Sequence, residues 1–288
     1  MKAISVILPT TALATRLCGL NRAIESALSQ QDVDVDLIVI ANGPHCDHQI
    51  LRGLEKRSEL RLIYTEEAGY PAALRLGRDQ VAAPFFAELD DDDELLPRAL
   101  ATRLEHIERD PSIDVVVTNG ILRRDGRDSV GIRDIDSCRT DPLRRLMDDM
   151  WLVPCSALYR TETVTRDFFE TIPPAMEWTY VGTLLTLKKK IAFVDVATFV
   201  YNRDTTDSLS RSKRYQLDTP EAMRRLLELE LPAHIREVVR EKHVQSLHAA
   251  SELERMDGNI AEAWKWHVRT LTHRYGWRYL AYTRHLVR

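Results

Sequence analysis

A chain of 288 residues, 44% of them hydrophobic, is long enough for one large domain or a domain with an appendage, and it carries enough apolar surface for a sizeable core. Its formal net charge of -4 gives no whole-chain reason to expect nucleic acid, which calls for a basic patch or stripe. The cysteines Cys18, Cys46, Cys138 and Cys155 form neither a CxxC pair nor a Cys/His zinc pattern, and read as free thiols in a reducing compartment. No apolar run approaches the roughly 20 residues that span a bilayer. The opening apolar run is interrupted early by Pro9, Thr10 and Thr11, so it reads as a strand rather than a signal peptide.

β-rich runs at residues 3–8, 36–40, 60–64, 84–89 and 114–118 alternate with segments of helical period at 20–30, 48–58, 71–81 and 95–109. The alternation predicts βα units and a largely parallel sheet flanked by helices, with the strand-end loops gathered on one edge. Those loops are Pro9-Thr10-Thr11, Asn42-Gly43-Pro44, Glu66-Glu67-Ala68-Gly69 and the acidic run Asp90-Asp91-Asp92-Asp93-Glu94. In open α/β sheets that edge binds ligands. Carboxylates packed this densely repel one another unless a cation neutralises them, and hard oxygen ligands suit Mg²⁺ or Mn²⁺ held together with substrate phosphates. The competing reading is a solvated acidic loop capping a helix that begins near Leu95.

Past Thr118 the pattern loosens through residues 119–140, with Gly120, Gly126 and Gly131, and apolar runs return at 153–159 and 191–201 around a helical stretch at 177–189. This half reads as an acceptor-side subdomain. From Thr219 the chain reads as helices only, opening on Thr219-Pro220 as N-cap and first helical position and broken into a hairpin at Asp257-Gly258-Asn259. The expected domains are therefore residues 1–215, in halves 1–118 and 119–215, followed by a helical extension over 216–288. Near the end, Trp264, Val268, Leu271, Tyr275, Tyr279, Tyr282 and Leu286 recur at spacings of three or four, flanked by Lys265, Arg269, Arg274, Arg278, Arg284 and Arg288. Such a stripe packs on a protein core, forms a homodimer contact, or lets residues 262–288 lie on an anionic bilayer surface.

The motifs, taken in order, resemble the inverting family 2 glycosyltransferases of the GT-A fold. Ser5-Val6-Ile7-Leu8-Pro9-Thr10 resembles the family's first strand, and Ala23 through Gln31 its "ALxSLLxQ" helix. Leu37 through Pro44 is similar to the "IIVVDNGS" strand, Gly69 to Gly77 stands at the "GxxxARNxG" segment, and Asp90-Asp91-Asp92 matches the Asp-x-Asp element. The resemblance covers residues 3–212. It implies a Rossmann-like, mostly parallel central sheet flanked by helices, here with a C-terminal all-helical extension.

The resemblance also implies roles. Pro9, Thr10 and Asn42 would border the nucleobase and ribose of a nucleotide-diphosphate sugar, with Arg75, Asp91 and Arg203 among the donor-binding residues. Asp90 would hold the ribose or a metal-bound water, and Asp92 would ligate the divalent cation. The family's base comes from a Glu-Asp pair at a helix start, matched here by Glu177 followed by Trp178, with Glu170 and Asp167 as nearby substitutes. The chain departs from the family at Ala41, at Leu74-Arg75, and at Tyr201-Asn202-Arg203-Asp204, where Tyr-Arg-x-His is common. There Asp204 would replace the His as metal ligand, or Arg203, Arg211 and Lys213 would bind the diphosphate. The implied acceptor is a glycan or lipid-linked hydroxyl in surface polysaccharide or glycoconjugate synthesis, in the cytoplasm or at the inner face of the membrane. Two alternatives are a catalytically degenerate nucleotide- or glycan-binding subunit and a sugar-nucleotide nucleotidyltransferase. The second would carry a Gly-rich loop that Thr10-Thr11-Ala12-Leu13-Ala14 lacks, and an Asp-x-Asp-x-Thr phosphatase is disfavoured by Glu94 at the Thr position.

Overall fold

The computed structural model describes residues 2–204 and 208–287, so Arg288 of the basic tail lies outside the described residues. The first half alternates as expected: β1 Ala3–Thr10, α1 Leu17–Leu28, β2 Asp34–Asn42, α2 His48–Glu55, β3 Leu60–Thr65, α3 Tyr70–Asp79 and β4 Phe85–Glu88. Then come β5 Glu94–Leu95, α4 Ala99–Arg109, β6 Val115–Arg124, β7 Arg127–Val130, α5 Ile135–Thr140, α6 Pro142–Asp149, β8 Ala157–Arg160 and α7 Asp167–Glu170. The remainder is α8 Glu177–Lys188, β9 Ile191–Asn202, α9 Lys213–Glu228, α10 Ala233–Met256, α11 Ile260–Leu271 and a closing 3₁₀ segment, Gly276–His285.

The described residues fall into two compact units. The first runs to Ile172 and resumes from Val181 through Asp204; the second comprises Pro173 to Tyr180 and Ser208 to Val287. One sheet, ordered β3-β2-β1-β4-β8-β6-β9-β5 with β7 beside β6, organises the first unit. β1 pairs in parallel with both β2 and β4, and β2 with β3. A strand flanked on both edges and covered on both faces is buried, which suits Ile4, Val6, Ile7 and Leu8, while the one polar residue among them, Ser5, donates its hydroxyl to Asp36 at 2.8 Å. Helix α1 turns Leu20, Ala23, Ile24 and Ala27 inward at helical spacing onto this core.

The sheet is less uniformly parallel than the alternation predicts. β8 enters antiparallel between β4 and β6, whereas β6 and β9 run parallel. Arg103 of α4, fully buried, ties these strands together. Its guanidinium donates to the Thr118 hydroxyl at 3.1 Å, to the Ala157 and Cys155 carbonyls at 3.2 and 2.5 Å, and to the Thr198 hydroxyl at 2.7 Å. Three local expectations are corrected. Residues 119–124 extend β6, which turns into β7 through Asp125 and Gly126 with φ of 52° and 66°, the paired left-handed conformation of a two-residue hairpin. The helix expected from Leu95 starts at Ala99, because Glu94 and Leu95 pair with Val200 and Phe199 of β9. Finally, α9 begins at Lys213, capped by the Ser212 side chain, so Pro220 lies inside the helix rather than at its start.

Within the second unit, the stripe expected along the tail packs inward only in part: Tyr282 and Leu286 are buried, while Val268 is exposed. Tyr282 and Leu286 cluster with Ala263 and Trp264, and the Trp264 indole N–H donates to the Leu286 carbonyl at 3.2 Å. Trp277, Leu280 and Val287 are instead exposed. No described helix is long and apolar enough to cross a membrane, and the four cysteines are free thiols.

Candidate active site

The acidic run leaves the end of β4 and is separated from α4 by β5, so it does not cap that helix. Its four aspartates take different directions. Asp91 is buried and accepts a hydrogen bond from the Thr10 hydroxyl at 2.6 Å, while Arg16 Nε lies 2.9 Å from each of its oxygens. Asp93 is also buried; it accepts from the Asn202 backbone N–H at 2.8 Å and from the Cys155 thiol at 3.3 Å. Asp90 accepts the Tyr70 hydroxyl at 2.9 Å, and Asp92, partly exposed, faces an Arg16 terminal nitrogen at 3.2 Å. The Asn202 side-chain amide completes the brace by donating to the Asp92 carbonyl at 2.6 Å.

As a result Asp90, Asp92 and Asp93 each present an oxygen within 4.8 Å of the others. Burial, the charge of Asp92 and that of Asp91 push the Asp90 carboxyl well above the usual carboxylate range, against the Tyr70 hydrogen bond. Burial, with Asp90 and Asp92, does the same to Asp93. An all-oxygen set whose members resist being charged together fits a small hard divalent cation, which would restore their ionised form.

Second-line residues position this loop. Ser26 and Gln30, at the end of α1, hold the chain just beyond it: Leu95 N–H donates to the Ser26 hydroxyl at 3.1 Å, and Gln30 donates to the Leu96 carbonyl at 2.9 Å. Gln30 also accepts from Leu100 N–H at 3.1 Å. Gly19 leaves room for the loop, since a Cβ there would stand 2.8 Å from the Asp91 carbonyl oxygen.

The other sequence-derived candidates are placed as follows. Pro9 and Thr10 end β1 beside Ile40 and Ala41. Asn42 ends β2 and donates to the Gly69 carbonyl at 3.2 Å, bracing the entry to α3, on which Arg75 pairs with Glu67 at 3.4 Å. Arg203 and Asp204 follow β9. Arg203 lies 5.7 Å from the Tyr201 ring, and Asp204 accepts from Asp125 N–H at 2.6 Å and Gly126 N–H at 3.4 Å. Asp204 therefore braces the β6–β7 turn and is not in the oxygen cluster, which Asp93 completes instead.

Glu177 opens α8 within the second unit. It is buried; Oε2 accepts the Tyr215 hydroxyl at 2.9 Å, and Oε1 has no hydrogen-bond partner among the described residues. The same Tyr215 oxygen accepts Met176 N–H at 2.8 Å, fixing the start of the helix next to a residue at φ 57°. Burial raises the Glu177 carboxyl above its ordinary range, offset in part by a backbone N–H hydrogen bond and then by the Tyr215 hydroxyl. Lys213 of the same unit pairs with Glu254 and Asp257 at 2.8 and 2.7 Å. Arg16, Tyr70, Asn202 and Tyr215 were not evident as site residues from sequence; each acts through a partner far away in the chain.

A mixed sheet with carboxylates gathered where β1, β4 and β9 end is the arrangement of a GT-A glycosyltransferase. The chain belongs to glycosyl transferase family 2, whose model matches residues 5–165. Its fold is similar to that of S. aureus TarS 1-349 in complex with UDP-GlcNAc, with a TM-score of 0.65 at 15% identity over 94% of this chain and 89% of that one. It is also similar to the mannosyltransferase PcManGT from Pyrobaculum calidifontis in complex with GDP-Man and Mn²⁺, with a TM-score of 0.58 at 14% identity over 99% of this chain and 84% of that one. No curated protein sequence matches the chain.

The close approach at Gly19 generates a prediction. Gly19→Ala should destabilise the protein by about 1–3 kcal/mol, because the backbone of the acidic loop must shift. Gly53→Ala, on the open side of α2 with nothing within 4 Å, should stabilise it by roughly 1 kcal/mol. Urea unfolding of the two variants checks both signs.

Proposed function

We propose that the chain is a divalent-cation-dependent, inverting glycosyltransferase that moves a sugar from a nucleoside-diphosphate donor to a hydroxyl of a glycan or lipid-linked acceptor. The observation that carries this reading is the convergence of Asp90, Asp92 and Asp93 within 4.8 Å at the strand ends of a family 2 sheet. The donors named for the similar structures, UDP-GlcNAc and GDP-Man with Mn²⁺, support the donor class and leave the base and sugar open. Asp90, Asp92 and Asp93 would hold Mn²⁺ or Mg²⁺, which when bound neutralises charge on the departing diphosphate.

Thr10 and Pro9 at the end of β1 and Asn42 at the end of β2 would form the nucleoside side of the site, with Arg75 and Arg203 as further donor contacts. Asp91, turned inward onto Thr10 and Arg16, supports a role in shaping the loop rather than in touching the donor. The acceptor hydroxyl attacks the anomeric carbon on the face opposite the diphosphate. As the new C–O bond forms, the bond to the diphosphate breaks and Glu177 Oε1 takes the hydroxyl proton, so the configuration inverts. A buried carboxyl with one oxygen oriented by Tyr215 and the other unpartnered suits that task.

For the tail, we propose contact with an anionic membrane surface through the exposed Trp277, Leu280 and Val287, which are 65%, 58% and 74% accessible. The flanking basic residues include Arg269 and Arg284. Such contact would bring the enzyme to a lipid-linked acceptor in surface glycan synthesis at the inner face of the membrane.

Three measurements test these readings. A thermal-shift screen of UDP-, GDP-, CMP- and dTDP-sugars with and without Mn²⁺ should give a metal-dependent stabilisation by one nucleotide class, about 2.7 kcal/mol at a hundred times Kd. Asp92→Ala should abolish it, and no shift with any donor contradicts the donor site. Glu177→Gln should lower kcat about 10²–10⁴-fold. Because the base must be ionised, activity should rise with pH through the elevated Glu177 pKa, and Tyr215→Phe, which removes a bond favouring the charged form, should move that acid limb to higher pH. An unmoved limb in Tyr215→Phe excludes Glu177 as base. Finally, Trp277→Ala/Leu280→Ala should lose co-sedimentation with vesicles containing phosphatidylserine; equal recovery of variant and wild type excludes membrane docking by this surface.

A further inference from the structure

We infer that Arg16 is a resident countercation of the acidic loop that rests one arm on Asp92, and so makes divalent-cation binding conditional on the arrival of a nucleoside diphosphate. The inference rests on the metal-dependent reading above.

Arg16 closes a 3₁₀ turn, Ala14–Arg16, whose geometry is fixed by its N–H donating to the Leu13 carbonyl at 3.0 Å, and α1 follows at once. Its guanidinium is anchored at one side and extended at the other. Nε stands 2.9 Å from both oxygens of Asp91, and one terminal nitrogen is shared between Asp91 Oδ1 and Asp92 Oδ2, the latter at 3.2 Å. Asp91 is itself held by the Thr10 hydroxyl, which in turn accepts Ala12 N–H at 3.0 Å, so the anchor is rigid. Asp91 is not one of the three aspartates whose oxygens converge, whereas Asp92 is. The arginine is therefore buttressed by a carboxylate outside the cluster and placed against one inside it. Its side chain is only 15% exposed, so water screens the charge poorly.

A divalent ion seated on Asp92 would have to share that carboxylate with a guanidinium a few ångströms away. Two cations in a poorly screened site repel, which weakens binding of the bare ion. A nucleoside diphosphate brings anionic oxygens that offset both positive groups, and the arginine's planar N–H donors match phosphate geometry. Ion and nucleotide then tighten one another, and linkage requires the effect to be equal in both directions.

The test measures Mn²⁺ binding to the full chain by electron paramagnetic resonance, with and without UDP or GDP, in the wild type and in Arg16→Met. Arg16→Met should bind bare Mn²⁺ about tenfold or more tightly than wild type, and should lose most of the tightening that nucleotide produces. Should Arg16→Met fail to fold because Asp91 is left charged and buried, the comparison is repeated as Arg16→Met/Asp91→Asn against Asp91→Asn, a background with no stranded charge. Equal or weaker bare Mn²⁺ binding on removal of Arg16, with nucleotide-dependent binding intact, overturns the countercation role and leaves the metal-dependent reading standing. Absence of Mn²⁺ binding in every variant with either nucleotide overturns both.

Discussion

Four consecutive aspartates at the end of a buried strand cannot all point into one space, and the way this repulsion is resolved sets the geometry of the first unit. Alternate members turn inward. Asp91 is drawn to Thr10 and Arg16, Asp93 to Asn202 and Cys155, and each inward carboxylate fastens a different part of the chain to the loop. Buried carboxylates are tolerated only where such donors meet them, so the ends of β1 and β9 and the turn before α1 are held in place by the same contacts that keep the loop folded. Asp90 and Asp92 remain directed at a shared space with one oxygen of Asp93. Asp91 thereby serves the platform alone, Asp93 serves both the platform and the shared space, and Asp90 and Asp92 face that space.

The strand-end placement of this loop was legible because it depends on local pattern. Apolar runs bounded by polar turns located β1, β2, β3 and β4, and an acidic run at the end of such a strand pointed to the sheet edge. The order of the later strands was not legible, because β8 enters the sheet through pairing with Phe85 and Phe86, more than seventy residues earlier, and nothing in its own four residues encodes that partner. The Asp125-Gly126 turn did carry a local signal, since that dipeptide favours a hairpin; the flanking Arg and Asp residues on an exposed strand pair hid the alternation that would have confirmed it. Asp93 was missed for a different reason. An Asp-x-Asp pattern singles out alternate residues, but the tight turn closed by Asp93 N–H on the Asp90 carbonyl at 3.1 Å brings the fourth acid back toward the first.

Glu88 shows how far this strand end tolerates uncompensated acid. It lies on β4 opposite Ile7, is buried, and neither carboxyl oxygen has a hydrogen-bond partner among the described residues. Burial and the charge of Asp90 push it well above the usual range, with Arg78 opposing. Arg78 cannot do more, because its guanidinium already donates to the carbonyls of Thr161 and Val164 and lies over the Phe86 ring at 4.8 Å.

The departures from the family pattern bear on whether the chain has lost its chemistry. Two of them, Trp178 where a second acid is common and Asp204 in place of a histidine, are each accounted for locally. Trp178, next to Glu177 in the chain, is buried, and Asp204 secures the β6–β7 turn through two backbone N–H groups. A degenerating site would be expected to lose the costly features first, since buried charges and unpartnered carboxylates destabilise the fold that carries them. Here those features persist: three converging aspartates, a buried Glu177 with one oxygen oriented by Tyr215, and an arginine shared between a structural and an outward-facing carboxylate. The presence of these features at an energetic cost favours an active transferase over a binding remnant.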